Sequence, residues 1–133
     1  MDDKVEYTPK FDWVTQRSLC SLPKVFRALR SQVEDDVKTR NALRPNNSPY
    51  EFLVAGNGDE VTVSLEGKDT HLSVTFSLTE HAILVRDDEG KRIFGVSLSF
   101  DDAGECKLHV NEKELTLWQV RRMALEDLFF RGY

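Results

Sequence analysis

Apolar residues recur with two different periods along the chain. Leu22, Val25, Phe26, Leu29, Val33 and Val37 follow one another at steps of three or four, the spacing of a single helix face. Ser21 stands where an N-cap is needed. Pro23 falls in the first turn, where its missing N–H is no loss. The opposite face offers Arg30–Glu34, Glu34–Lys38 and Asp36–Arg40 at i,i+4, the pattern of a solvated surface. The breaker cluster RPNNSP predicts an end near Leu43. Ahead of this helix, FDWVTQRSL predicts a short helical turn with Asp12 as N-cap. Residues 1–10 are polar and read as a flexible tail, leaving 11–133 as one α+β domain.

From Tyr50 the period becomes two. Tyr50, Phe52 and Val54 lead into Asn57-Gly58, a strong hairpin signal. A turn there predicts Val54 opposite Val61, Phe52 opposite Val63 and Tyr50 opposite Leu65. A second turn at Lys68-Asp69 places Leu65 against Leu72 and Val63 against Val74. Two later stretches, LVRDDEGKRIF and LSFDDAGECKL, share Leu-x-x-Asp-Asp-x-Gly. That is a type I turn closed by a glycine in the left-handed region. The second of these turns predicts Phe100 opposite Cys106, Leu98 opposite Leu108 and Val96 opposite Val110. Thr116 and Gln119 then form a capping box, with Leu115 and Val120 as its hydrophobic staple.

The predicted architecture is therefore α+β: an N-terminal helix, a six-stranded antiparallel meander, and a C-terminal helix. Both helices cover the sheet face rich in Val, Leu and Phe. The other face carries Thr62, Ser64, Ser73, Thr75, Ser77, Ser97 and Ser99. The size and acidity resemble small secretion-chaperone domains, but no helix interrupts the strands. A meander followed by a Trp-bearing helix resembles the pleckstrin-homology type, but here a helix precedes the sheet. Both are likenesses of fold and imply no function.

The formal net charge of -5 excludes a broad cationic footprint, and with it a general nucleic-acid or anionic-membrane role. No stretch approaches 18 consecutive apolar residues, and the first residues contain no apolar signal region. Cys20 and Cys106 form no CxxC or Cys/His motif. The expectation is two free thiols, no intrachain disulfide and a reduced, cytoplasmic location.

Candidate chemistry is sparse. His71, His81 and His109 do not converge, and Asp87-Asp88 and Asp101-Asp102 are accounted for by turn formation. Cys106 takes an inward strand position as a small hydrophobe, and Cys20 has no histidine near it in sequence. The row Lys24, Arg27, Arg30 is interrupted by Glu34, Asp35 and Asp36. No catalytic, cofactor-binding or metal-ligating residue is assigned.

Two segments carry more apolar residues than one sheet contact uses. The strand HAILVRDD (81–88) is apolar on both sides. If Ala82 and Leu84 face the core, Ile83 and Val85 form an outer patch with Ile93; a tighter preceding turn exchanges the faces. On the C-terminal helix, Leu117, Trp118, Val120, Ala124, Leu125, Leu128 and Phe129 fill about half the circumference, with Met123 and Phe130 beyond it. Arg121 lies near the middle of that face with no acid three or four residues away. It must reach the rim, an acid on the sheet or first helix, or a carboxylate on another subunit. An internal or rim position is favoured.

The expected partner surface comprises Trp118, Arg121, Met123, Phe129 and Phe130, with Ile83, Val85 and Ile93 as a second patch. The function expected from it is a non-enzymatic protein-interaction module that forms a homodimer. The alternatives are a carrier of an apolar small molecule between a curved sheet and a helix, and an enzyme with a site the sequence does not reveal.

Overall fold

Two side-chain caps open the chain's first helices. Asp12 accepts the Thr15 amide at 3.0 Å and the Thr15 hydroxyl at 2.6 Å, starting α1 (Trp13–Leu19). Ser21 accepts the Lys24 amide at 3.4 Å, starting α2 (Leu22–Ala42). The computed structural model describes residues 10–67 and 70–131. Nearly all of the expected tail, and the turn residues Lys68 and Asp69, lie outside the described residues. The stripe on α2 buries Phe26, Leu29, Val33 and Val37, as its spacing predicts.

The strands are β1 (Glu51–Asn57), β2 (Glu60–Gly67), β3 (Thr70–Leu78), β4 (Ile83–Arg86), β5 (Arg92–Phe100), β6 (Cys106–Val110) and β7 (Lys113–Leu115). They form one antiparallel meander in chain order, followed by α3 (Leu117–Phe129). Alternate residues Val61, Val63, Val74, Phe76, Val85 and Val96 point into a single core. There they meet the α2 stripe and Val120, Leu125 and Leu128 of α3. The α+β reading holds, with seven strands where the period suggested six. The extra strand pairs Leu108 with Leu115 across a tight turn at Asn111 and Glu112, both at positive φ. Such a turn normally announces itself through Asn-Gly, and a glutamate in its second position hides it.

The first hairpin differs in register. Val54 lies opposite Val63 and Phe52 opposite Leu65, because the two-residue turn is Gly58-Asp59 and Asn57 pairs with Glu60. The Asn57 carboxamide accepts the Asp59 amide at 2.9 Å and so builds the turn from the residue just before it. Gly56 sits at φ +155, where a Cβ would lie 2.0 Å from the Glu60 carbonyl. The slip shifts pairing by two residues, so the apolar set keeps its face. Tyr50 loses its predicted partner and stands outside the sheet. The second hairpin has the predicted register, with Leu65 opposite Leu72 and Val63 opposite Val74. The two Asp-Asp-x-Gly turns are alike: Asp87 and Asp101 each accept two downstream amides at 2.9–3.0 Å, and Gly90 and Gly104 take φ near +80.

The cysteine expectation is overturned. Cys20, at the C-cap of α1, is bonded to Cys106, the first residue of β6, with Cα atoms 5.3 Å apart. The β5–β6 register sets Cys106 opposite Phe100 at the end of the hairpin, where the α1–α2 junction crosses it. Sequence separation had concealed the proximity. With the thiols joined, they no longer argue for a reducing compartment. No helix among the described residues is long and apolar enough to cross a membrane.

Candidate functional site

The last helix and the end of α2 carry most of the residues singled out from sequence. Gln119 Oε1 accepts the Thr116 amide at 2.8 Å, and the staple residues Leu115 and Val120 are buried. This start fixes the rotation of α3. Val120, Ala124, Leu125, Leu128 and Phe129 turn to the core. Trp118, Met123 and Phe130 remain 54%, 49% and 40% exposed, while Phe129 is buried. Phe129 instead packs edge-on against Phe52 at 5.0 Å between ring centroids.

Arg121 turns inward toward α2. Its Nε donates to Asp36 Oδ2 at 2.6 Å, and its Nη1 donates to Gln32 Oε1. Its side chain is 18% exposed and that of Asp36 31%. Of the three destinations open to it, it takes the acid on the first long helix. Asp36 is thereby withdrawn from the pairing with Arg40 that helix spacing suggested. Arg122 keeps its local partner, Glu126, at 3.1 Å.

Arg40 also leaves its own helix. Its Nε donates to the Phe129 carbonyl at 2.7 Å, and its guanidinium lies 5.0 Å from the Phe52 ring centre and 5.3 Å from that of Phe130. A cation at the last carbonyls of α3 also opposes the helix dipole. Next to it, the Asn41 carboxamide donates to the Phe52 carbonyl at 2.8 Å and accepts the Phe52 amide at 3.0 Å. One side chain thus occupies both hydrogen-bonding groups of an edge-strand residue and locks α2 to β1. Sequence reading missed Asn41 because it treated the end of α2 only as a helix stop.

Two hollows flank this region. One, of about 330 Å³, lies between α2 and α3 and is bordered by Leu43, Trp118, Arg122, Glu126 and Phe130. The other, of about 440 Å³, lies between the end of α2, β1, β2 and the end of α3. The second opens between the sheet edge and the end of α3; deeper between sheet and helices, the layer is filled by Phe26, Leu29, Val63, Phe76 and Leu125.

The second expected patch does not form. Ile83 and Val85 are 1% and 0% exposed and face the core, paired across β5 with Val96 and Phe94. The preceding turn, closed by Thr79 and Ala82, exchanges the faces, and Leu84 lies outside, opposite Gly95. Ile93 is exposed without those neighbours.

The remaining polar groups are scattered. His71 meets Glu66 at 2.8 Å, and His81 lies 4.0 Å from Glu80 on an open turn. His109 Nε2 is 2.7 Å from Ser99 Oγ on the exposed sheet face. Lys107 lies between Glu105 and Glu114. Its hydrogen bond and charge attraction to Glu105, with the field of Glu114, hold its ammonium pKa above the usual value. Among the described residues, no cluster of three or more His, Cys, Asp or Glu is placed to hold a metal ion.

Comparison with known proteins found no family model, no curated protein and no solved structure that matches this chain.

Proposed function

We propose that the protein is an interaction module that forms a homodimer through the outer ridge of α3. The observation that carries this reading is the order of residues on that ridge. Trp118, Arg122, Glu126 and Phe130 follow one another at i,i+4 and so form one continuous row along the helix. The row is antisymmetric about its midpoint: aromatic, cation, anion, aromatic. A two-fold axis at that midpoint sets Trp118 against Phe130 of the second copy, and Arg122 against its Glu126. A row of this kind is self-complementary, as a closed symmetric interface requires. Rows at this spacing interdigitate when two helices cross near -50°. Met123, which follows Arg122 and is exposed, adds apolar area at the flank of the row. Aromatic residues, Met and Arg are the types that concentrate in interface cores.

Light scattering across a concentration series tests the reading. The wild-type chain is expected to be dimeric at micromolar concentration, with a midpoint of thermal unfolding that rises with concentration. Trp118→Asp with Phe130→Asp yields a folded monomer. Arg122→Glu weakens association, and adding Glu126→Arg restores it, because the reversed row is again self-complementary. A wild-type chain that stays monomeric at high micromolar concentration refutes the proposal. So does a charge reversal that the second substitution does not rescue.

A further inference from the structure

The hollow of about 440 Å³ beside the end of α2 has an uneven chemistry. Its floor is apolar: Phe52, Leu65, Leu128 and Phe129 are all buried members of the core. Its rim is cationic, with Arg40, Arg44 and Arg131, and hydroxyls are added by Ser48, Tyr50 and Thr70. Among its described lining residues there is no acid, in a chain with 23 acidic and 18 basic residues. Arg40 belongs to the wall, held by the Phe129 carbonyl and two aromatic rings. Arg44 is different. Its Nη1 donates to the Tyr50 carbonyl, but its Nε is buried and has no hydrogen-bond partner. A donor on a permanently charged group, removed from water and left without an acceptor, is costly to the fold.

We propose that this hollow binds a free monocarboxylate with an apolar tail. The carboxylate sits at the rim on Arg44 and Arg131, and the tail lies over Phe52, Leu65 and Leu128. A guanidinium fork matches a carboxylate geometrically. The apolar floor directly beneath it selects an acid with a tail over a small bare anion. The volume falls within the roughly 300–1,000 Å³ usual for small-molecule sites. The site shares no lining residue with the Trp118–Phe130 ridge and touches it where Arg40 lies over the Phe130 ring, and its test does not depend on the homodimer.

Isothermal titration calorimetry on the full chain tests it, with decanoate as probe and decanol and acetate as controls. Decanoate is expected to bind at one site, with both controls weaker by about tenfold or more, since each lacks half of the recognition. Arg44→Gln and Arg131→Gln each weaken decanoate binding by about tenfold and leave decanol unchanged. Arg44→Gln does not lower the unfolding temperature, because it removes a buried donor that has no acceptor. Ser48→Trp, which fills the rim and leaves the arginines in place, abolishes binding. The proposal is overturned if folded wild-type protein does not bind decanoate. It is also overturned if decanol binds as well as decanoate and the arginine variants bind like wild type.

Discussion

α1 and α2 are neighbours in the chain, and each opens on an oxygen side chain that caps its first amides, Asp12 and Ser21. Beyond the cap they share little. α2 runs for 21 residues and buries four large side chains against the sheet. α1 has seven residues and buries none, leaving Trp13, Val14 and Leu19 exposed. Two turns are too short to build a stripe, and isolated helices of that length are unstable in water. What fixes α1 lies at its ends. Phe11 packs over the hairpin turn at Gly104, where a Cβ would lie 2.5 Å from its ring. Cys20 ties the other end to β6. One helix is held by burial along its length, the other by a cap, a ring contact and a covalent bond.

The sharpest way to break this comparison is at the α2 core. Leu29→Ala removes a side chain with no exposure, and the loss is expected to be about 2–5 kcal/mol in denaturant unfolding. A loss below 1 kcal/mol would mean that burial is not what holds α2. Cys106→Ser comes next. The bond closes a loop across 86 positions, and its removal is expected to cost about 2–4 kcal/mol. Amide exchange should accelerate most in 13–19 while the meander stays protected. Unchanged protection of α1 would show that its surface contacts suffice.

Arg121→Ala follows in size. Asp36 would keep its partial burial without its cation, at a cost of about 1–3 kcal/mol. Asp36→Ala combined with Arg121→Ala should cost less than the two single losses added together, because the pair is lost once. Additive losses would show that the two side chains act separately.

The smallest effect belongs to the α1 cap. The Asp12 carboxyl is held below its ordinary value of 3.8, first by the Thr15 hydroxyl and then by the Thr15 amide. A carboxylate with a lowered folded pKa stabilises fully above the unfolded value, and the benefit disappears as pH falls through the folded one. Helical chemical shifts over 13–19 should therefore weaken on acidification below about pH 4. In Asp12→Ala they should be weaker already at neutral pH and insensitive to that step.

Periodicity and local turn chemistry were enough to predict both long helices, the meander and the capping box at Thr116. Each depends on residues within four or five positions of one another. The same locality explains the misses. β7 has three residues and a turn whose second corner is Glu112 in place of glycine. The first hairpin slipped by two because Asn57 formed an Asx turn from outside the loop, and alternation alone cannot distinguish registers of equal parity.

The candidate site was legible as a composition and not as an arrangement. Trp118, Met123 and Phe130 could be read as surplus from the helical wheel, since rotation about one helix follows from its own sequence. The face of Ile83 and Val85 depended on how tightly the turn at Thr79–Ala82 closes. Arg121 and Asp36 stand 85 positions apart, Cys20 and Cys106 stand 86 apart, and Arg44 and Arg131 line one hollow only because two helix ends and a sheet edge converge there. Contacts at that separation depend on how helices are laid across a sheet. That placement is decided by the shape of the whole core, to which every element contributes and which no single stretch encodes. The chain by itself therefore determined the helices, six of the seven strands and, apart from β4, the faces they bury. Only the packed structure decided that Arg121 is neutralised by Asp36, that the two cysteines join, and that the Arg44 Nε is buried without an acceptor.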